Sequence, residues 1–599
     1  MAQLIEDYAL LGDLQTAALV GKDGSIDWLC LPRFDSAACF AALLGTPEHG
    51  HWTLAPRSGG SCRSRRYRGD SLVLETEWHT PEGMVRVVDL MPPRGSAADV
   101  VRIVEGVSGA VPMRSTLRLR FDYGNVLPWV HHTGGNFAAI AGPDAVWLDT
   151  PVPLHGEGMA TYGDVTVRAG DRVPFVLTWA PSHLVEPEHV DGMRALGQTE
   201  QFWAEWISHC TYRGAWSEPV RRSLLTLKAL TYAPTGGIVA AATTSLPEEI
   251  GGVRNWDYRY CWLRDASFTL EALLANGFVT EANAWREWLL RAVAGDPADL
   301  QIMYSVTGQR RLPEYELDWL PGYEGSTPVR IGNGAATQLQ LDVWGEVLNG
   351  LALARAAGLA RDEDAWDLQC AFMDYLEGAW HQPDNGLWEV RGPRQQFVHS
   401  KLLCWVGADR MIRTVEDSGL PGPLDRWKAM RAEIHREICA DGYDAERNTF
   451  TQYYGSAGLD AALLLMPRLG FLPGGDPRVI GTVDAVVREL TEDGFVLRYR
   501  PEREGVDGLP GGEGTFIMCT FWLADALALT GRRTEATALF ERLLGLRNDV
   551  GLLAEEWDTV GRRHLGNTPQ AFSHLSLVNT AGVLSAAPPS RPSDAYPGS

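Results

Sequence analysis

The chain has 599 residues, 45% hydrophobic and 22% charged, with 53 Lys and Arg against 76 Asp and Glu for a formal charge of −23. That length predicts roughly two to four domains with ample buried core, and the acidic field disfavours a nucleic-acid or membrane-surface role. No uncharged apolar run is long enough to span a bilayer, the opening MAQLIEDYALLGDL lacks a signal-peptide pattern, and nine scattered cysteines outside CxxC spacing fit reduced thiols, so the expected location is the cytoplasm.

In chain order, the first 200 residues read as strands. SLVLETEWHT, MVRVVDLMPP, VVRIVEGVSG, PMRSTLRLRFDY, AAIAGPDAVWLDT, DVTVRAG and RVPFVLTWAP are β-branched or alternating and bounded by turn residues. They predict an antiparallel β-sandwich over residues 1–195. Helical periodicity begins with LGQTEQFWAEWISHC, giving a helical linker over 196–220. Twelve helices are then predicted, at 221–233, 263–276, 281–295, 334–357, 363–380, 398–416, 424–440, 456–466, 478–491, 515–531, 534–547 and 570–585. Twelve in antiparallel succession suit a closed double ring over 221–587, with functional residues in the loops where inner helices begin. The Pro/Ser-rich end predicts a disordered tail over 588–599.

Tryptophan, at 22 copies, supplies flat apolar faces suited to sugar rings, although most of these side chains read as ordinary core. Four segments open predicted helices or precede them. NWDYRYCWLRDASF carries Trp256, Tyr260, Trp262 and the Arg264–Asp265 pair. Asp265 reads either as a helix cap or, with Arg264 and the rings, as part of a grip on a polyhydroxylated ligand. GYEGSTPVRIGNGAATQLQLD holds Arg330 and Asn333 in a Gly-rich turn, without the pattern of a phosphate-binding loop; Arg330 reads alternatively as a brace between domains. GLWEVRGPRQQFVHSK sets Glu389 between Trp388 and Arg391, and GLLAEEWDT sets Glu555 and Glu556 beside Trp557. Two carboxylates facing one bond can run glycoside hydrolysis, and an indole beside one of them would raise its pKa as an acid requires. No HExxH or clustered ligand set points to a metal, and His399, His564 and His574 read as helix-end or supporting residues.

In combination these segments resemble glycoside hydrolase family 15, the glucoamylase, glucodextranase and bacterial trehalase group. The likeness runs from IEDYALLGDLQTAALVGKDGSIDWLCLPRFDSAACFAALLG through YRYCWLRDASFTLEALL, GSTPVRIGNGAA, GLWEVRG and AEEWD to GNTPQAFSHLSLVN. The resemblance implies a β-sandwich followed by an (α/α)6 barrel and hydrolysis with inversion. It implies Glu389 as general acid and Glu555 as general base, with Glu556 the neighbouring candidate and Glu346 and Glu324 the reserve candidates for the acid. It also implies substrate contacts from Arg264, Asp265, Arg330, Trp388 and an arginine of the RYRP segment, either Arg498 or Arg500. Val390 stands where fungal glucoamylases carry a second acidic residue, which groups the chain with the bacterial branch. The expected activity is α,α-trehalose hydrolysis. The alternatives are a glucoamylase or isomalto-oligosaccharide glucohydrolase releasing β-glucose from nonreducing ends and, from another class, a noncatalytic sugar-binding protein. The expected partner is a small di- or oligosaccharide; a homo-oligomer is left open. No cofactor is required by the residues, and phosphate and magnesium enter through the resemblance alone.

Overall fold

A computed structural model describes residues 2–586 apart from 134–135, 185, 360–362 and 501–506. The tail predicted over 588–599 lies outside the described residues. Between Tyr8 and Pro181 fifteen strands form one antiparallel network that folds into two layers. The 21-residue strand Ala98–Arg118 belongs to both. Its first half pairs with Gly83–Leu90 and Arg172–Pro181, its second with His51–Pro56 and Ala160–Arg168. The change of layer comes at Gly109, whose φ is +69° and where a Cβ would stand 2.0 Å from the Glu82 carbonyl oxygen. Between the layers the buried Arg102 pairs with Asp89 (Nε to Oδ1, 2.7 Å) and donates to the carbonyls of Trp52 and Gly24. Every charge-bearing atom of this guanidinium thus meets a partner, as burial demands.

Strands Tyr8–Gly12, Ala17–Gly21 and Ser25–Cys30 were not among the predicted set. They are buried at every position, so they carry no alternation. Trp28 shows why: its indole donates to the Ala242 carbonyl (2.8 Å), which belongs to the helical part of the chain. The predicted boundary at 195 falls inside a helix, Gly192–Ser208, whose N-terminus Asp191 caps by accepting from the amides of Met193 and Arg194. This helix lays Ala195 and Leu196 on Val101, Ile103 and Val176, the outer face of one layer. The next helix begins at Ser217, inside the predicted linker.

From there the chain builds a double ring. Helices Ala266–Ala275, Asp342–Ala356, Val398–Ser418, the short pair Ala461–Leu465 and Met466–Leu469, Ile517–Leu529 and Ala571–Ser585 each contact the next, and the last contacts the first. Ser217–Ala229, Val279–Val293, Glu363–Ala379, Leu424–Asp441, Pro477–Glu489 and Arg533–Leu544 pack on this ring from outside. Sequence patterning separates the two sets: Ile517–Leu529 is buried at eleven consecutive positions, whereas Leu424–Asp441 buries only Trp427, Met430, Ile434 and Ile438. Gly345 permits a close approach of the inner helices Asp342–Ala356 and Val398–Ser418, since a Cβ there would stand 2.0 Å from the Leu403 carbonyl oxygen.

Two predicted helices are shorter than expected. In 334–357 only Asp342–Ala356 is α-helical; Asn333 caps a separate 3-10 turn at Gly334–Thr337, and Asp384 captures the Leu341 amide at 2.8 Å. In 456–466 Asp460 caps a 3-10 segment over Ala461–Leu465 that runs into one α-turn.

Candidate active site

Loops entering the inner helices converge on one cleft that opens to solvent. Hairpins before Ala266 deliver Trp256, Tyr258 and Arg264; the turn before Asp342 delivers Asn333; the turn before Val398 delivers Trp388, Glu389 and Arg391. Arg498, Asp507 and Phe516 arrive before Ile517, and Glu555 and Gln570 before Ala571.

Glu389 is held in a left-handed backbone conformation, φ +57°, a cost that persists only where surrounding contacts over-determine it. Here they do: Gln338 Nε2 donates to the carbonyls of Glu389 and Val390 (both 3.2 Å), and Asn385 Nδ2 donates to Val390 as well. The carboxyl oxygen Oε1 accepts from the Trp262 indole at 2.7 Å and faces Arg264 Nη1 at 3.4 Å. Trp388 is fixed through its own indole, which donates to both oxygens of Asp460 (2.9 and 3.0 Å).

Glu555 ends the stretch before the strand Glu556–Asp558, which pairs with Thr515–Phe516. Alternation along the chain sends neighbouring side chains to opposite sides. Glu555 lines the cleft, accepting from the Asn567 amide at 3.2 Å and from the Tyr258 hydroxyl. Glu556 is fully buried behind it, accepting from the Gly514 amide at 2.8 Å. It has no face on the cleft among the described residues, which removes it as the candidate base.

Burial raises the carboxyls of both Glu389 and Glu555. For Glu389 the guanidinium of Arg264 and the Trp262 indole restrain the rise. Glu555 is pushed up to about 7 despite hydrogen bonds from Tyr258 and Asn567 that favour its ionised form. Glu389 stands beside the cationic Arg264, and Glu555 beside the neutral donors Tyr258 and Asn567.

The other predicted residues divide into cleft and wall. Trp256, Arg264, Trp388, Arg391 and Arg498 line the cleft. Trp262 acts from behind, through Glu389. Asp265 makes no cap bond from its side chain; it is held instead by Arg264 Nε at 3.1 Å. Arg330 is a brace, donating to the carbonyls of Val253 and Asn255 and standing 4.6 Å from the Trp256 ring centroid, which Arg391 also approaches, at 4.4 Å. Three expectations are corrected. Arg500 donates to the Glu489 carbonyl and pairs with Glu492, away from the cleft, so the RYRP arginine of the site is Arg498. Trp557 sits in the sheet with its ring edge-on to His564, 5.8 Å between centroids. Tyr260 is buried with its hydroxyl near Asp257 and Arg259. Tyr258 and not Tyr260 faces the carboxylates, the chain being irregular between the strands Asn255–Asp257 and Cys261–Trp262. The reserve acids are also elsewhere: Glu346 is bonded to Ser267 inside the ring, and Glu324 pairs with Arg563 at the surface. His564 and His574 bond to the Leu546 carbonyl and to the Leu553 amide and Ser223, and His399 is buried within its helix.

Sequence reasoning missed Glu248, Arg254, Tyr258, Asp507 and Glu513. Arg498 is chelated by Glu513 (Nε to Oε1, 3.1 Å) and approached by Glu248 (3.3 Å), while Arg254 pairs with Asp507 at 2.6 Å. GVDGLPGGEGTF precedes an inner helix and carries two acids among glycines, the same signal that marked the other loops.

The family model described as glycosyl hydrolases family 15 matches residues 216–582, and a trehalase-like N-terminal model matches residues 1–177. A trehalase of Mycobacterium tuberculosis is 39% identical over 96% of this chain and 88% of its own, and one of Thermoplasma volcanium is 35% identical over 97% and 93%. An isomaltose glucohydrolase of Kribbella flavida is 26% identical over 55% of this chain and 86% of its own. A bacterial glucoamylase solved with acarbose superimposes with a TM-score of 0.72 at 14% identity, covering 97% of this chain and 94% of that one; it shares the β-domain and (α/α)6-barrel fold. The chain belongs to glycosyl hydrolase family 15.

Proposed function

We propose that the protein hydrolyses α,α-trehalose to two glucose molecules with inversion at the attacked carbon. The observation that carries the hydrolytic part is the pair of buried carboxyls, Glu389 and Glu555, contributed by separate loops to one cleft. In the reaction Glu389 passes its proton to the glycosidic oxygen as the C1–O bond breaks. Glu555 takes a proton from the water whose oxygen bonds C1 on the opposite face. Arg264, tied to Asp265, lies at the Glu389 end and offers donors to the hydroxyls of the attacked ring, with the Trp388 indole as an apolar wall.

Trehalose as substrate is supported by relatives named trehalases that match the β-domain as well as the barrel. The isomaltose glucohydrolase matches about half the chain. Comparing kcat/KM for trehalose, maltose, isomaltose and soluble starch tests the reading. Trehalose should lead by at least about tenfold, the discrimination that 1.4 kcal/mol in transition-state binding supplies. Maltose or starch in first place would make the protein a glucoamylase. No turnover of any sugar by a protein that binds them would make it a binding protein.

We further propose a cytoplasmic location, supported by nine cysteines that are all unpaired. Among the described residues no helix is long and apolar enough to cross a membrane. Among them, too, no group of three or more His, Cys, Asp or Glu is arranged to hold a metal. The acid–base steps above run on the chain's own carboxyls, and turnover after chelation and phosphate removal tests this.

A further inference from the structure

Glu248 has no part in the chemistry just described, yet it lines the same cleft and is 2% exposed. It follows the strand Thr244–Pro247, and its backbone is fixed on both sides: its amide donates to the Arg254 carbonyl (3.1 Å), and its carbonyl accepts from the Gly514 amide (3.0 Å). The side chain joins two cleft residues. Oε1 accepts from the Trp256 indole at 3.1 Å, and Oε2 faces Arg498 Nη2 at 3.3 Å. Trp256 needs such an anchor, because its ring is only partly buried and its neighbours Arg330 and Arg391 stand 4.6 and 4.4 Å from its centroid without touching Nε1. Packing against guanidinium groups does not by itself choose one χ2 orientation of the indole. The hydrogen bond from Nε1 to Glu248 selects one.

Trp256 and Arg391 form the outer side of the cleft, since the Arg391 side chain is 34% exposed whereas that of Arg264 is 9%. A disaccharide whose attacked ring sits by Arg264 must place its departing ring against this outer wall. We propose that Glu248 is a positioning residue for the departing sugar: it locks the Trp256 indole into the outer surface that receives that ring. This inference rests on the proposed disaccharide hydrolysis. Glu248 works here as a hydrogen-bond acceptor rather than as a free charge. Burial, together with the facing carboxyls of Glu513 and Glu555, pushes it up to about 8 against the pull of Arg498 and Arg254, so a neutral side chain whose one carbonyl oxygen still accepts from the Trp256 indole should serve.

The test compares trehalose with α-glucosyl fluoride, whose small leaving group leaves the outer position empty and needs no protonation, while still requiring the base. For Glu248→Leu the ratio of kcat/KM on trehalose to kcat/KM on the fluoride should fall by about tenfold or more, as loss of a buried hydrogen-bonding anchor implies. Glu248→Gln should recover most of that ratio. Equal losses on both substrates would show Glu248 acting on Glu555 or on the fold, and would overturn the proposal. So would an unchanged ratio, or a Gln variant as impaired as the Leu variant. If trehalose is not the substrate of the wild-type protein, it fails before any variant is made while the fluoride is still turned over, and the same ratio is then read with the preferred disaccharide.

Discussion

The indole of Trp262 offers a direct way to move the titration of Glu389. Its neutral N–H donates to Oε1 at 2.7 Å, while the cationic neighbour, Arg264, stands at 3.4 Å. Trp262→Phe removes the donor and keeps a ring to pack against Tyr258, whose centroid lies 5.2 Å away. A hydrogen bond to an ionised acceptor contributes about 1.5–3 kcal/mol, and about 1.4 kcal/mol corresponds to one pH unit. Because the bond favours the ionised carboxyl, its loss should raise the Glu389 titration by roughly one to two units. The pH dependence of kcat/KM for the preferred sugar reports free-enzyme titrations. The limb belonging to Glu389 should move upward, and the limb belonging to Glu555, near 7, should stay. A Glu389 limb that stays in place or moves downward, with the variant shown folded by its melting curve, would refute the assignment of this hydrogen bond as a control on the acid.

Glu389→Gln and Glu555→Gln should each lower kcat by roughly 10²–10⁴-fold, whereas Glu556→Gln, altering a carboxyl outside the cleft, should keep more than about a tenth of wild-type turnover; the opposite order would exchange the two neighbours. Arg498→Ala leaves the buried Glu513 with Arg254 alone, at 3.5 Å, and should cost up to about 3–5 kcal/mol in urea unfolding along with most activity, while Arg500→Ala should leave both within measurement error. Glu346, bonded to Ser267 and pushed up to about 8 by burial, is protonated in the native state at neutral pH and ionised in the unfolded chain. Its raised native pKa makes its contribution to stability decline as pH rises from the ordinary glutamate value toward 8, by up to about 1.4 kcal/mol per unit. Glu346→Gln lacks that decline, so melting curves from pH 5 to pH 8 should show the variant gaining on the wild type as pH increases; a constant difference would contradict the raised titration.

Much of the architecture was legible because the inner and outer helices differ in patterning and because Gly, Pro and Asp punctuate their ends. What was not legible has physical causes. The first three strands carry no period of two, since both of their faces are covered, as the bond from Trp28 to Ala242 illustrates. The helix expected from 334 begins at Asp342 because Asn333 and Asp384 draw the intervening amides into other bonds. In the site, Glu389, Glu555, Arg264 and Trp388 lie in loops that the twelve-helix reading had already marked. Tyr258 was passed over for Tyr260, because the rotation of a short loop strand cannot be read from its composition. Arg498 and Arg500 look alike in the sequence, and only the acidic partners, Glu513 for one and Glu492 for the other, separate them. Glu248 and Asp507 find their places through contacts between segments some 250 residues apart, a distance over which local pattern carries no information.

The central claim is that Glu389 and Glu555 act across one glycosidic bond without a covalent intermediate. Proton NMR of a trehalose digest, recorded before mutarotation, tests it most directly. Attack by water opposite the leaving group turns one ring into β-glucose, and the departing ring keeps its α configuration. The account predicts equal initial amounts of the two anomers. Release of α-glucose alone would mean retention through a covalent glycosyl-enzyme, with Glu555 a nucleophile and not a base.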